Sequence, residues 1–198
     1  MLRKIKFKEF KDLYRKHIIK DFPKNERPNL EVFRKRMLKK NEEVYIFEED
    51  GIDKGYCIIY QLKEYILVTF LAVYKENRGK GTGTKILKEI QEKYSNKKGI
   101  LLEVEDPDFE KNNKEKNIQE KRIKFYEKSN FKVLKNLRAK PYTVNFKIMI
   151  YELQKADIKE IENNIREFYY AVIDKKMQKY ITVKNDLEDE EKNQKGNE

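Results

Sequence analysis

Residues 65–84 read YILVTFLAVYKENRGKGTGT: an apolar, β-prone run that passes into a glycine-rich basic turn. The first half, Tyr65 to Val73, predicts a buried strand. Directly after the turn, TKILKEIQEKY sets Ile86, Leu87, Ile90 and Tyr94 on one helical face. The order is strand, glycine turn, helix start, and it confines the chain to folds that mix sheet and helix. Glycines in such a turn let backbone N–H groups approach a ligand closely, and the unpaired amides of a helix N-terminus favour an anion. Arg78 and Lys80 add positive charge beside those amides. The stretch reads as a phosphate cradle.

Two nucleotide loops of similar composition fail on spacing. A Walker A loop needs Gly, four residues and then Gly-Lys-Ser/Thr, but the fifth residue after Gly79 is Thr84. A dinucleotide fingerprint needs Gly-x-Gly-x-x-Gly at the strand end. Gly79, Gly81 and Gly83 give Gly-x-Gly-x-Gly instead, with Tyr74-Lys75-Glu76-Asn77 intervening.

The 198 residues are 38% hydrophobic and 12% aromatic, enough for one core of ordinary size. A net charge of +11 admits nucleic acid, an anionic membrane or an anionic cofactor as partner. The basic residues are spread along the chain rather than blocked, the pattern that also arises where Lys replaces other surface residues in an AT-rich genome. Nucleic acid therefore rests on net charge alone and is disfavoured. Cys57 is the one cysteine and His17 the one histidine, so neither an intrachain disulfide nor a His-rich metal site is expected. No run of ~18 apolar residues exists, so no membrane partner is expected, and the expected location is cytoplasmic.

Taken in order, Leu2 to Phe7 alternates apolar and basic residues and predicts a first strand. FKEFKDLYRKHII places Phe10, Leu13, Tyr14, His17 and Ile18 on one helical face, with His17 as part of that packed face. Pro23 and Pro28 end this helix, and Asn29 is suited to cap a second. Residues 42–62 hold two strands around Asp50-Gly51, a hairpin signal, and Tyr65 to Val73 makes a third antiparallel strand. Gly99 suits the C-terminal cap of the cradle helix. ILLEVEDP is a further buried strand, parallel to Tyr65–Val73 through a right-handed crossover. EKRIKFYEKSNF predicts a helix, Phe131 to Leu134 a strand, LRAKPYTV a loop and Val144 to Leu153 a last strand. The element order, β-αα-βββ-α-β-α-ββ, is that of an α/β (α+β) mixed sheet. From Lys155, Ile158, Ile161, Ile165, Phe168 and Val172 mark an amphipathic helix to about Tyr180, which either packs on its own domain or forms a homodimer contact. The acidic residues 183–198 are expected to be disordered, leaving 1–153 as the main domain and 154–182 as the appended helix.

Arg78-Gly79-Lys80-Gly81-Thr82-Gly83 fits the cofactor motif Arg/Gln-x-x-Gly-x-Gly/Ala of the bacterial GNAT-type N-acetyltransferase superfamily, which LAVYKENRGKGTG resembles nearly throughout. Lys75 stands where Pro is common. Downstream, RIKFYEKSNFKV resembles the superfamily's second signature, with Asn130-Phe131 in place of Gly-Phe; Asn tolerates the left-handed conformation that Gly would supply. Gln119 stands where Asn is common, and Arg122 where a small residue is common. The resemblance spans roughly Leu2 to Leu153. It implies a largely antiparallel GNAT sheet with a central, splayed parallel pair and helices on both faces. It also implies acetyl-coenzyme A as cofactor, its pyrophosphate on Gly79, Lys80, Gly81, Thr82, Gly83 and Thr84. Its pantetheine arm would lie on the backbone of Leu71, Ala72 and Val73, with Gln119 nearby.

Acetyl transfer to an amine needs a deprotonated amine, a polarised thioester carbonyl and a proton for the leaving thiolate. The resemblance implies Tyr126 as the general acid. Glu103 and Glu105, two apart on one strand, point to the same face opposite Leu102 and Val104, and either could serve as base. The two helices before the hairpin, the Phe22–Pro28 loop and the Arg138–Val144 loop are the expected acceptor determinants. Paired carboxylates favour a cationic amine: a polyamine, an aminoglycoside or a lysine side chain. The alternative is an acyl-coenzyme A-binding or regulatory module with little turnover, acting through its C-terminal helix.

Overall fold

The computed structural model describes residues 1–22, 24 and 27–185, and the chain divides into two compact units. The first holds residues 1–62 and 66–95, the second residues 63–65 and 96 onward.

In the first unit, β1 (Leu2–Lys4), β2 (Glu42–Glu49), β3 (Ile52–Gln61) and β4 (Tyr65–Val73) form successive antiparallel ladders. The Asp50-Gly51 turn between β2 and β3 has φ of +56° and +73°, the two left-handed residues of a type I′ hairpin. The helix α1 (Phe7–Leu13) runs on through a π-helical stretch, Tyr14–Ile18, into a short α2 (Ile19–Asp21). It is followed by α3 (Leu30–Leu38), whose cap is the expected one: the Asn29 side chain accepts from the Val32 amide at 3.0 Å. Phe10, Leu13, Tyr14, Ile18 and Phe33 from these helices are buried together with Val44, Ile46, Tyr56, Ile58 and Phe70 of the sheet. Phe10 and Phe33 meet edge to face at 5.1 Å. Tyr45 alternates with Val44 and Ile46, so it points to the other face, where its hydroxyl lies 3.1 Å from that of Tyr94 at the end of α4 (Thr82–Lys93).

In the second unit, β5 (Gly99–Glu105) pairs with β7 (Phe146–Glu152) over its full length, from Gly99 opposite Glu152 to Glu105 opposite Phe146. β6 (Lys132–Pro141) pairs with β7 on one side and with β8 (Ile181–Asn185) on the other. Two helices, α5 (Asn113–Glu127) and α6 (Ile158–Val172), complete the unit. Tyr151 lies opposite Ile100 and packs on Phe131 at 5.8 Å, which in turn meets Tyr126 of α5 at 5.9 Å. On the face of β5 opposite Ile100, Leu102 and Val104, Glu103 receives a hydrogen bond from Tyr169 of α6 and Glu105 pairs with Arg122 of α5.

Three boundaries differ from the sequence expectation. The cradle helix ends at Lys93, and Gly99 opens β5, where a Cβ would stand 3.0 Å from the Tyr151 carbonyl oxygen. The helix expected to reach Tyr180 stops at Val172, because the Gln178 side chain donates to the Tyr170 and Ile173 carbonyls at 2.9 and 3.1 Å and closes the helix end. Leu137 to Pro141, expected as loop, is strand because Ile181–Asn185 supplies its partner. That strand takes in Val183, Lys184 and Asn185 of the segment expected to be disordered; residues 186–198 lie outside the described ones.

Candidate active site

The glycine turn is built as its sequence requires. β4 ends at Val73, a short 3-10 turn (Lys75–Asn77) intervenes, and α4 begins at Thr82. Gly79 and Gly81 have φ of +73° and +78°, and a Cβ at either position would meet nothing within 4 Å. It is the left-handed backbone, and not crowding, that demands glycine there, and the space where a side chain would stand is open. Gly81 is the N-cap of α4 and brings no side-chain cap, so the first amides of the helix face outward without an intrahelical acceptor. Thr82 is buried, its hydroxyl donating to the Asn77 carbonyl at 3.1 Å and fixing the entry of the helix.

Both cations fold back onto the same turn. Arg78 Nε donates to the Val73 carbonyl at 2.8 Å, with its guanidinium 3.5 Å from Asp21, and Lys80 Nζ donates to the Glu76 carbonyl at 2.8 Å. Asp21 also accepts from the buried Tyr56 hydroxyl at 2.9 Å, and His17 stacks on Tyr74 at 4.0 Å. The packed-face reading of His17 therefore describes what its ring does. Leu71, Ala72 and Val73 pair on one edge with Cys57, Tyr56 and Gly55 of β3. Cys57 is fully buried and its thiol is pushed up in pKa by that burial, which suits a core residue and not a nucleophile.

In the second unit the two carboxylates of β5 meet different partners. Glu105 is ion-paired with Arg122 of α5. Glu103 sits in an apolar stretch between Leu102 and Val104, opposite Ile148, and burial pushes its carboxyl up to about 7, while the hydrogen bond from Tyr169 pulls the other way. Tyr126 lies at the end of α5 against Phe125 (5.0 Å) and Phe131 (5.9 Å), and burial pushes its phenol up to about 12. The Phe131 amide bonds back to the Tyr126 carbonyl at 3.1 Å, and Asn130 takes φ of +64°, the left-handed turn expected of it. Gln119 Nε2 lies 3.4 Å from Glu110, while its Oε1 is buried without a hydrogen-bond partner. Glu103, Glu105, Gln119 and Tyr126 thus belong to one unit, and Leu71 through Thr84 to the other.

Sequence reasoning missed Tyr169. The available signal was its place four residues after Ile165 on the buried stripe of α6, where a hydroxyl needs a partner. It also gave Arg122 no role.

Comparisons with known proteins bear on the fold and on the stretch that holds these residues. The model of the acetyltransferase (GNAT) domain family matches residues 40–133, which include the glycine turn, Glu103, Glu105 and Tyr126. The acetyltransferase-like protein YjbC of Bacillus subtilis (strain 168) is 32% identical over 97 residues, 48% of this chain, and the match spans only 45% of that relative's length. A GNAT-family protein of Bacteroides thetaiotaomicron superposes with a TM-score of 0.69 at 20% identity, over 87% of this chain and 97% of its own. The Vibrio cholerae spermidine N-acetyltransferase, solved with CoA and spermine, superposes with a TM-score of 0.56 at 14% identity, over 77% and 95%. These structures share the mixed α/β, largely antiparallel fold expected from the sequence. Over residues 40–133 the chain is therefore similar to the GNAT-type acetyltransferase domain, and its fold is the one these structures share.

Proposed function

We propose that the protein is an acetyl-coenzyme A-dependent N-acetyltransferase acting on a primary amine by direct attack. The observation that carries this reading is the outward-facing, uncapped N-terminus of α4 at left-handed Gly81, flanked by Arg78 and Lys80. The amides of residues 79–84 would hold the pyrophosphate. The backbone of Leu71, Ala72 and Val73 would take the pantetheine amides as an added strand does. The unpartnered Gln119 Oε1 is an acceptor suited to a pantetheine N–H. When bound, the cofactor supplies an acetyl group activated as a thioester.

Within this reading, Glu103 is the base. A carboxyl near 7 is half-ionised at neutral pH and basic enough to take the ammonium proton, directly or through a water. Glu105 is the poorer candidate, because Arg122 compensates its charge. Tyr126, pushed up to about 12, keeps its Oη proton through neutral pH and can give it to the leaving sulfur. The ammonium gives one proton to Glu103, and the second proton that the nitrogen sheds on becoming an amide replaces the one Tyr126 gives to the leaving thiolate, so the step ends with neutral amide, free thiol and protonated Glu103. Acceptor selection falls to α1, α3, the Phe22–Pro28 loop (residues 23, 25 and 26 lie outside the described ones) and residues 138–144. A cationic amine of the polyamine, aminoglycoside or lysine type fits a carboxylate base. A cytoplasmic location belongs to the same proposal; among the described residues, no helix is long and apolar enough to cross a membrane.

The test is a panel of amines, spermidine included, incubated with acetyl-coenzyme A while free thiol and acetylated product are counted. Stoichiometric release of both from one class of amine supports the reading. A protein that binds the cofactor yet turns over no amine is a binding or regulatory module instead.

A further inference from the structure

We infer that Tyr169, on a helix beyond the residues matched by the family model, is a positioning residue for Glu103, its hydroxyl donating the hydrogen bond that orients the carboxylate and favours its charged form. The inference rests on the reading of Glu103 as the base.

The geometry begins with the surroundings of Glu103. Along its face of β5 the neighbours are Leu101 and Glu105, and across the ladder stands Ile148. Leu101 and Ile148 carry no side-chain donor, and Glu105 is ion-paired with Arg122. From α6, Tyr169 Oη donates to Glu103 Oε1. Among the described residues, burial and this bond are the influences on the Glu103 carboxyl.

The helix that delivers Tyr169 is held at several points. Asp157 caps its start, accepting from the Glu160 amide at 3.1 Å, and Lys98 donates to Glu160 at 2.8 Å. Arg166 donates to the Val183 carbonyl of β8 at 2.9 Å. Ile161, Ile165 and Phe168 are buried beside Tyr169, so the phenol has little freedom to leave. The choice of donor also has chemical sense. A lysine or arginine in this place would neutralise the carboxylate and lower its basicity. An aliphatic residue would leave the carboxyl protonated in an apolar site. A phenol is neutral at the working pH, and the proton of Tyr169 is held firmly by burial beside Glu103. It can fix a carboxylate without neutralising it.

The test is an NMR titration of carboxyl-labelled glutamate, with the Glu103 signal assigned by its loss in Glu103→Gln. It needs neither cofactor nor acceptor. Tyr169→Phe is expected to move the Glu103 midpoint upward by about one to two units, the worth of one hydrogen bond to a charged group. A fluorinated tyrosine at 169 is a stronger donor of nearly the same shape, and it is expected to move the midpoint downward. It carries the test should Tyr169→Phe lose its cooperative melt. Midpoints unchanged by the substitution overturn the role of Tyr169. The base assignment is read separately: Glu103→Gln with undiminished turnover overturns that assignment, whatever the titration of the wild-type residue shows.

Discussion

Replacing Glu103 by Gln should make the protein more stable at alkaline pH while removing its activity. The carboxyl titrates near 7 in the folded chain and at 4.5 in the unfolded one, so the folded state holds the proton more tightly. Between those values the native form binds more protons than the unfolded form, and stability falls as pH rises through that window. The contribution is fully present below about 4.5 and lost by the time pH passes 7. A difference of two to three units corresponds to about 3 kcal/mol of stability lost by pH 8, and to about 1 kcal/mol at pH 5. Gln has the shape of protonated Glu and can still accept from Tyr169, so the variant should escape this penalty. Denaturant unfolding of both proteins at pH 5 and pH 8 reads the effect. The expected result is a gap in favour of Glu103→Gln that widens by about 2 kcal/mol between the two pH values. A gap that does not change with pH, or a variant less stable at pH 8, refutes the claim that this carboxylate is held at a cost in an apolar site.

The other predictions concern the chemistry and the cradle. Tyr126→Phe keeps the ring against Phe125 and Phe131, so cofactor affinity should be unchanged while turnover falls by about two orders of magnitude, the usual size of a lost proton donor; equal losses of both would mean a packing role. Gly81→Val forces a β-branched residue into a left-handed backbone at φ +78° and should abolish cofactor binding, a reading lost if calorimetry finds wild-type affinity. Turnover should rise with pH through about 7 as Glu103 ionises, with Tyr126 still protonated far above that. A rate that is flat from pH 5.5 to 8 on an already neutral amine would remove Glu103 from the base role.

Much of this architecture was legible from residue pattern alone. The strand–turn–helix order at 65–94, the hairpin at Asp50-Gly51 and the Asn29 cap all depend on chemistry local in sequence, and local chemistry is what a pattern reports. The C-terminal third resisted because its structure is set by contacts distant in sequence. LRAKPYTV has no strand signal of its own beyond Leu137 and Ala139, and it becomes strand because Ile181–Asn185 lies beside it. The helix end at Val172 depends on Gln178 reaching back, which a run of apolar spacing cannot show. At the candidate site, the motif residues can be read from the sequence, but their electrostatics cannot. Glu103 and Glu105 look equivalent as text, but Glu105 is ion-paired with Arg122 of α5, while burial raises the Glu103 carboxyl toward neutrality and the hydrogen bond from Tyr169 of α6 opposes that rise.

The most direct test of the central claim is a calorimetric titration of the wild-type protein with acetyl-coenzyme A. Saturable binding at one site per chain is expected, with thermal stabilisation growing as the cofactor exceeds its dissociation constant, worth about 2.7 kcal/mol at a hundredfold excess. No heat of binding and no shift in melting temperature at millimolar cofactor would contradict it.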